Sequence, residues 1–379
     1  MPSAVIAGYA RSPFCFAMKG ELVDVRPDEL ASSVISALIE RSKIDPAEIE
    51  DLLMGCAFPE GEQGLNIARL TVFMAKLPHS VAATTINRFC GSSMQAIHSA
   101  AGAIMMGAGE AFICAGVESM SRVPMGGYNP MPNPALEARY PQAYIGMGIT
   151  AENVAKQYGI TRREQEAFAV QSQTKASVAQ VVGKLREEIV PITTPHGVID
   201  KDTCLRGNTT LDKLSELKPA FLDKGVVTAG TASPLTDGAA AVLVTSEDYA
   251  RRNHLQILAR IKSIAVAGCE PEIMGIGPVA ATKKALARAN LTIKDIDIVE
   301  LNEAFASQSI ACMRDLNIDM GRVNIDGGAI ALGHPLGATG ARIVGKAAQL
   351  LKREKKKYAL ATQCIGGGQG IATILEAME

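Results

Sequence analysis

The sequence predicts an α/β protein, and three observations lead there. Short apolar runs alternate with segments of helical periodicity along most of the chain. Glycine is abundant, 35 of 379 residues, and tryptophan is absent, which favours close backbone approach over aromatic packing. The strand–loop–helix–strand grammar of the first third also returns in the last third, a duplication of pattern rather than of identity. A chain of 379 residues exceeds what one hydrophobic core usually serves, so two or three domains are expected.

In order, AVIAGYA reads as a strand. Asp28 is expected to cap a helix whose Leu30, Val34, Ala37 and Leu38 share one face. DLLMGCA is a strand, NIARLTVFMAKL a helix, and AATTI a strand leading into Cys90. A helix over about 92–106 and the strand AFICAGV follow. Residues 121–236 differ: they hold PMGGYNPMPNP, a helix opened by the capping box Thr161-Arg162-Arg163-Glu164, and the irregular PITTPHGVIDKDTCLRGNTT. Clustered Pro and Gly mark a loop-rich insertion of the kind that forms lids and binding walls. DGAAAVLVTS, from Asp237, returns to strand character. The last third repeats the pattern with VAATKKALARAN, DIVEL, EAFASQSIACM, a glycine-rich loop, a helix over about 338–351, and the strands YALATQC and GIATILE. The expected organisation is a first half over 1–120 completed by 237–257, an inserted loop domain over 121–236, and a second half over 258–379.

Composition excludes several classes. Thirty-eight basic against thirty-nine acidic residues give a net charge of −1, which suits neither a nucleic-acid coat nor an anionic membrane surface. The run KREKKK reads as a solvated face. Eight scattered cysteines without a C-x-x-C pair argue against a zinc site or a disulfide scaffold and for free thiols in a reducing cytosol. The opening MPSAVIAGYARSPF lacks a signal-peptide core, no apolar run would span a membrane, and the closing ILEAME carries no peroxisomal address. A soluble cytoplasmic protein is expected.

Four segments carry chemistry: NRFCGSSMQA around Cys90, LNEAFA from Leu301, GGAIALGHPLGATG ending at Gly340, and QCIGGGQG from Gln363. Cys90 precedes Gly-Ser-Ser and a helix, whose N-terminal amides favour a thiolate and lower a cysteine pKa. His334 sits between glycine and proline, off any helical stripe. GHPLGATG lacks the G-K-[ST] ending of a phosphate loop, and the glycines after Cys364 lack the strand–G-x-G-x-x-G–helix order of a dinucleotide site. One cysteine, one histidine, a positioned amide side chain at Asn302 and a second cysteine in an amide-rich loop suit covalent acyl transfer. The second thiol is the unusual part, because hydrolysis needs only the histidine. It suggests proton transfer at carbon, as in forming an enolate beside a thioester.

With its NEAF, GHPLGATG and CIGGGQG segments in family order, the sequence resembles the thiolase superfamily from end to end. That resemblance implies the five-layered αβαβα thiolase fold: two similar halves with an inserted loop domain over the active site. It implies that Cys90 is the nucleophile, His334 its base and Cys364 the acid/base at carbon. Asn302, through a bound water, and His334 would form one oxyanion site, and the backbone amides of Cys90 and Gly366 a second. Ser233, Arg206, Met147, Met274 and Phe305 match positions that contact coenzyme A, a co-substrate rather than a permanently bound cofactor. TASPL after TAG, Gly146 before Met147, and a short segment from Ser121 to Thr150 lean toward the degradative 3-ketoacyl-CoA branch and away from a tetramer. The resemblance implies at least a homodimer and, in some degradative relatives, a hydratase/dehydrogenase partner subunit.

Three rivals remain. An acetoacetyl-CoA-specific acetyltransferase would share every motif and differ in the loop domain's pocket. A ketoacyl synthase would pair the cysteine with two histidines, and only His334 stands in such a motif here. A non-catalytic lipid-binding relative would have lost an active residue, and all four are present. His79, His98, His196 and His254 lie outside the motifs and read as structural or exposed.

Overall fold

The computed structural model describes residues 2–378; Met1 and Glu379, the ends of the two terminal segments read above, lie outside the described residues. The first half supplies strand β1 (Ala4–Arg11), helix α1 (Pro27–Ser42), β2 (Asp51–Gly55), α2 (Ile67–Met74), β3 (Ala82–Ile86), α3 (Ser92–Met105) and β4 (Ala111–Ser119). Between Ser119 and Thr236 no strand joins the main sheet; this stretch holds helices α4 (Met147–Gln157) and α5 (Arg162–Val181) and a small hairpin. Strand β5 (Thr236–Ser246) then returns. The second half comprises β6 (Ala259–Gly268), α6 (Gly277–Ala289), β7 (Ile298–Leu301), α7 (Ala306–Leu316), α8 (Leu336–Arg353), β8 (Tyr358–Ile365) and β9 (Gln369–Glu376).

The elements match the sequence reading closely, and one cap does not. Helix α1 starts at Pro27 with Arg26 as its N-cap, two residues earlier than an Asp28 cap requires. Proline pre-sets φ for the first helical residue, and the Asp28 carboxylate is taken by the Arg26 guanidinium at 2.8 Å. Helix α5 does carry the capping box expected at Thr161 and Glu164.

Strand order explains the repeat. The sheet runs β7-β8-β9-β6-β1-β5-β4-β2-β3. In the first half β2 lies parallel to β3 and β4, β4 runs antiparallel to β5, and β5 antiparallel to β1. In the second half β7 lies parallel to β8, β8 runs antiparallel to β9, and β9 antiparallel to β6. A parallel bridge from Val299 to Val323 stands where β3 would. The halves meet where β1 pairs with β6 through Val5 and Ile6.

Side chains alternate across each strand, so the two sheet faces build different cores. Phe112 and Cys114 of β4 face a central core with Ile97 and Ile104 of α3 and with Val344 and Leu351 of α8. Ile113 and Ala115 face the other way, onto Leu30, Val34 and Leu38 of α1 and Val72 of α2. Leu360 and Ile374 of the second half face Ala285 of α6 and Leu316 of α7. These are five layers, helix–sheet–helix–sheet–helix, with α3 and α8 in the middle.

The middle layer is close-packed because its helices carry glycine at their contacts. A Cβ on Gly340 would lie 2.3 Å from the Met94 backbone nitrogen, so nothing larger fits. Two buried cations of α8 are paired: Lys346 meets Glu188 at 2.9 Å and Asp326 at 2.8 Å, and Arg342 meets Glu300 at 3.0 Å. The packing brings the N-termini of α3 and α8 side by side.

Candidate active site

Cys90 stands two residues before α3, on a turn that forces Phe89 to a φ of +43°. That left-handed conformation is costly for a bulky residue and is held by local hydrogen bonds. Phe89 N donates to Asn87 Oδ1 at 2.9 Å, and Arg88 N to Ser92 Oγ at 2.8 Å. From the other half, Gln363 Nε2 donates to the Cys90 carbonyl.

His334 stands two residues before α8, after Gly333 at a φ of +104°. Its backbone N–H donates to Thr236 Oγ1 at 3.0 Å, and its Nδ1 meets Thr339 Oγ1 at 2.6 Å. The Thr339 hydroxyl also lies 3.3 Å from the Pro335 carbonyl. On the other side of the ring Asn302 Nδ2 approaches Nε2 at 3.4 Å, a donor facing a lone pair, which leaves the ring proton on Nδ1 and Nε2 as the basic nitrogen. Burial pushes the imidazole down to about 4, so it is neutral near pH 7.

Asn302 follows β7, and its backbone N–H donates to the Thr362 carbonyl at 3.0 Å. Its Oδ1 is buried without a protein partner. Cys364 is the penultimate residue of β8 and is 1% exposed. Burial holds its thiol well above the ordinary cysteine range, with Cys90 nearby adding to the shift.

The expectation of a depressed pKa at Cys90 is corrected here. Burial pushes its thiol up to about 11, outweighing the backbone amides of Gly366 and Cys90 itself, which are aimed at the sulfur and pull the other way. The helix N-terminus is present, but desolvation wins over it. The Cys90 sulfur therefore rests as a thiol near pH 7.

A cavity of about 800 Å³ is lined by Cys90, His334 and Cys364 together with Ser233, Arg206, Met147, Met274 and Phe305. Asn302 and Gly366 stand behind this lining, Asn302 against His334 and Gly366 with its amide on Cys90. Met147 opens α4, and a Cβ on Gly366 would lie 3.4 Å from its sulfur. Ser233 is fixed by backbone and hydroxyl contacts to the Ala304 carbonyl, at 3.0 and 3.1 Å. Phe305 packs edge-on to Phe221 at 6.0 Å. Arg206 has no carboxylate partner among the described residues, its Nη2 is buried without a partner, and burial lowers its pKa. A half-buried guanidinium with no carboxylate partner, on a cavity wall, suits an anionic ligand.

Sequence reasoning missed Thr339, Thr236, Gln363 and Glu118. Thr339 was readable, since it lies five residues after His334 within the same motif. Gln363 neighbours Cys364 but points to the opposite sheet face, and nothing local marks Glu118 or Thr236. The four unassigned histidines stay outside the site; His98, for one, is buried with Nε2 2.8 Å from Thr373 Oγ1.

Comparison with known proteins agrees with this geometry. The family models "Thiolase, N-terminal domain" and "Thiolase, C-terminal domain" match residues 4–248 and 255–377. The 3-ketoacyl-CoA thiolase of Bacillus subtilis (strain 168) is 46% identical over 389 residues, covering 99% of this chain and all of that one. Its counterpart in Shewanella frigidimarina (strain NCIMB 400) is 47% identical over 386 residues, with 99% and 100% covered. The crystal structure of human mitochondrial 3-ketoacyl-CoA thiolase in complex with CoA superimposes with a TM-score of 0.92 at 37% identity, covering 100% of this chain and 98% of that one. From its first strand to its last, the chain belongs to the thiolase family.

Proposed function

We propose that this chain is a 3-ketoacyl-CoA thiolase, an acyltransferase that cleaves 3-ketoacyl-CoA with CoA to give a shortened acyl-CoA and acetyl-CoA. The observation that carries the reading is the meeting of two thiols and a neutral imidazole on one cavity, with two backbone amides aimed at the Cys90 sulfur. The relatives named above bear the same activity in their names over their whole length.

The chemistry follows from the groups. His334 Nε2 takes the Cys90 proton, and the thiolate attacks the ketone carbon. The bond between the α-carbon and that carbonyl breaks, leaving an acyl-Cys90 thioester and the enolate of acetyl-CoA. Cys364, protonated at rest, gives its proton to the enolate carbon. His334 and Asn302 stabilise the enolate oxygen, with Asn302 Oδ1 as the acceptor that orients a bridging water. CoA sulfur then attacks the acyl group, its thiol proton passing to the Cys364 thiolate left by the first half-reaction. The amides of Cys90 and Gly366 hold the resulting oxyanion, whose collapse expels the Cys90 thiolate, and that thiolate takes its proton back from His334. Coenzyme A enters as co-substrate, with Ser233, Met147, Met274 and Phe305 along its arm and Arg206 toward its phosphates.

Within this reading, residues 121–236 form the loop domain that covers the site. The protein acts in fatty acid β-oxidation in the cytoplasm, and among the described residues no helix is long and apolar enough to cross a membrane. It works as at least a homodimer. Support comes from β3, an edge strand whose outer side pairs with nothing among the described residues, beside partly exposed Phe73 and Met74.

CoA-dependent cleavage of 3-ketoacyl-CoAs of increasing length tests the proposal. Turnover of medium and long chains is the expected result. Activity confined to acetoacetyl-CoA would move the chain to the acetyltransferase branch, and none at any length would overturn the assignment.

A further inference from the structure

The two halves can be compared position by position. Cys90 and His334 each lie two residues before the middle-layer helix of their half. Asn302 is the first residue after β7, and Cys56 is the first after β2, the equivalent strand. Cys364 is the penultimate residue of β8, and Glu118 is the penultimate residue of β4, its equivalent. The scaffold position that places an acid/base thiol in the second half thus places a carboxylate in the first.

Glu118 is fully buried and pairs with no lysine or arginine among the described residues. Its Oε2 accepts from Ala57 N at 2.8 Å and from Gly337 N at 2.9 Å. Its Oε1 accepts from Phe58 N at 3.2 Å, from Gln63 Nε2 at 2.9 Å and from the Cys56 thiol at 3.8 Å. Burial raises the carboxyl above its ordinary range, and the donors at Ala57, Gly337, Gln63 and Phe58, together with the N-terminus of α8, pull it back toward the ionised form.

These contacts reach both catalytic loops. Gly337 lies three residues after His334, in the first turn of α8. Ala57 carries its carbonyl to Asn87 Nδ2 at 3.0 Å, and Asn87 Oδ1 holds Phe89 N, the residue before Cys90. Ala57, Phe58 and Leu336 also pack in one cluster with Cys90. One side chain therefore links the nucleophile's turn to the base's turn across the seam between the halves.

We propose that Glu118 is a positioning residue, whose ionised carboxylate fixes the His334 turn against the Cys90 turn so that base and nucleophile meet. This rests on the thiolase reading of the site. Glu118 touches no substrate; it acts through Gly337 and Ala57. Its charge also opposes a thiolate at Cys90, adding to the upward shift there. The titratable groups that meet it are the Cys56 thiol from the end of β2 and, through its charge, Cys90 from the turn before α3.

The test uses E118Q and E118D in the full chain, with two readouts. One is steady-state thiolysis; the other is the pH dependence of Cys90 alkylation by iodoacetamide, followed by peptide mass. E118Q turns an NH₂ toward donors, and misplacement of reacting groups by an ångström can cost ~10²-fold, so kcat is expected to fall more than about tenfold with KM little changed. Removing the charge moves the alkylation midpoint to lower pH, which a merely structural role would leave in place. E118D keeps the charge at shorter reach, so its midpoint stays while its kcat falls. An E118Q protein with unmoved midpoint or wild-type kcat overturns the proposal. If E118Q does not fold, E118D decides alone, and wild-type kcat there overturns it. The alkylation readout does not depend on thiolysis, so an enzyme that cleaves no 3-ketoacyl-CoA but shows the midpoint shift would count against the reaction assigned and not against the coupling.

Discussion

The two halves share a strand order and a middle-layer helix, yet they contribute different chemistry. The first half gives the site one reactive group, Cys90; the second gives His334, Asn302 and Cys364. At the matching first-half positions stand Cys56 and Glu118, buried and bonded to each other and to backbone amides. The scaffold offers each half three places, after a strand, at the end of a strand and before a helix. Which of them become reactive depends on where the cavity opens: it opens onto Cys90, His334 and Cys364, with Asn302 directly behind His334. The difference teaches that the site belongs to the seam, since neither half alone holds both a nucleophile and its base.

Breaking the comparison at its strongest point gives the largest effect. Cys90→Ala removes the first half's single reactive group, and acyl-enzyme formation is expected to vanish in a mass measurement of the intact protein. Cys364→Ala should be different in kind: Cys90 still accepts an acyl group from acyl-CoA, while carbon–carbon bond formation from two acetyl-CoA molecules is lost. A Cys364→Ala enzyme that still condenses would remove the proton-transfer role at carbon. Asn302→Ala takes one donor from an oxyanion site, and a loss of ~10²–10³ in kcat is expected from steady-state rates. Arg206→Ala, away from the reacting atoms, should raise KM for CoA several-fold and leave kcat nearly unchanged.

The smallest effect is on stability in acid. His334 and His98 are held neutral by burial, at about 4 and about 3, against 6.5 for the free group. Below pH 6.5 the unfolded chain therefore binds protons that the folded chain refuses. Their contribution to stability should fall as pH drops from 6.5 toward 4, against the opposite contribution of Glu300, whose carboxyl burial raises to about 7. Urea midpoints of the wild type and His98→Gln at several pH values separate the two. His334→Gln should flatten part of that slope.

Much of this was legible in the sequence, for identifiable reasons. Alternating and helical periodicities depend on neighbours in the chain, so strands such as β4 and helices such as α3 could be read directly. Of the candidate site residues, His334 and Cys364 lie in short glycine-rich segments and Cys90 stands directly before a glycine, and the tight turns that glycine permits are local as well. Sequence failed where the answer depended on three-dimensional burial. The Cys90 thiol is a case in point: the helix N-terminus is visible in Gly-Ser-Ser, whereas the burial that outweighs it comes from side chains of other segments, among them Ala57, Met120 and Leu336. Glu118 was invisible for the same reason, because its partners come from two other segments, Ala57 and Gln63 from the connection after β2 and Gly337 from the start of α8. The Asp28 cap failed on a nearer competitor, the proline one residue before it.

The central claim is that Cys90, activated across the seam by His334, carries the acyl group. Its most direct test is to incubate the protein with a medium-chain 3-ketoacyl-CoA, quench before adding CoA, and map the modified peptide by mass spectrometry. One acyl group on the peptide containing Cys90, released when CoA is added and absent in His334→Ala, is the predicted result. An acyl group on Cys364 instead, or turnover of 3-ketoacyl-CoA with no acylated cysteine at any time point, would contradict it.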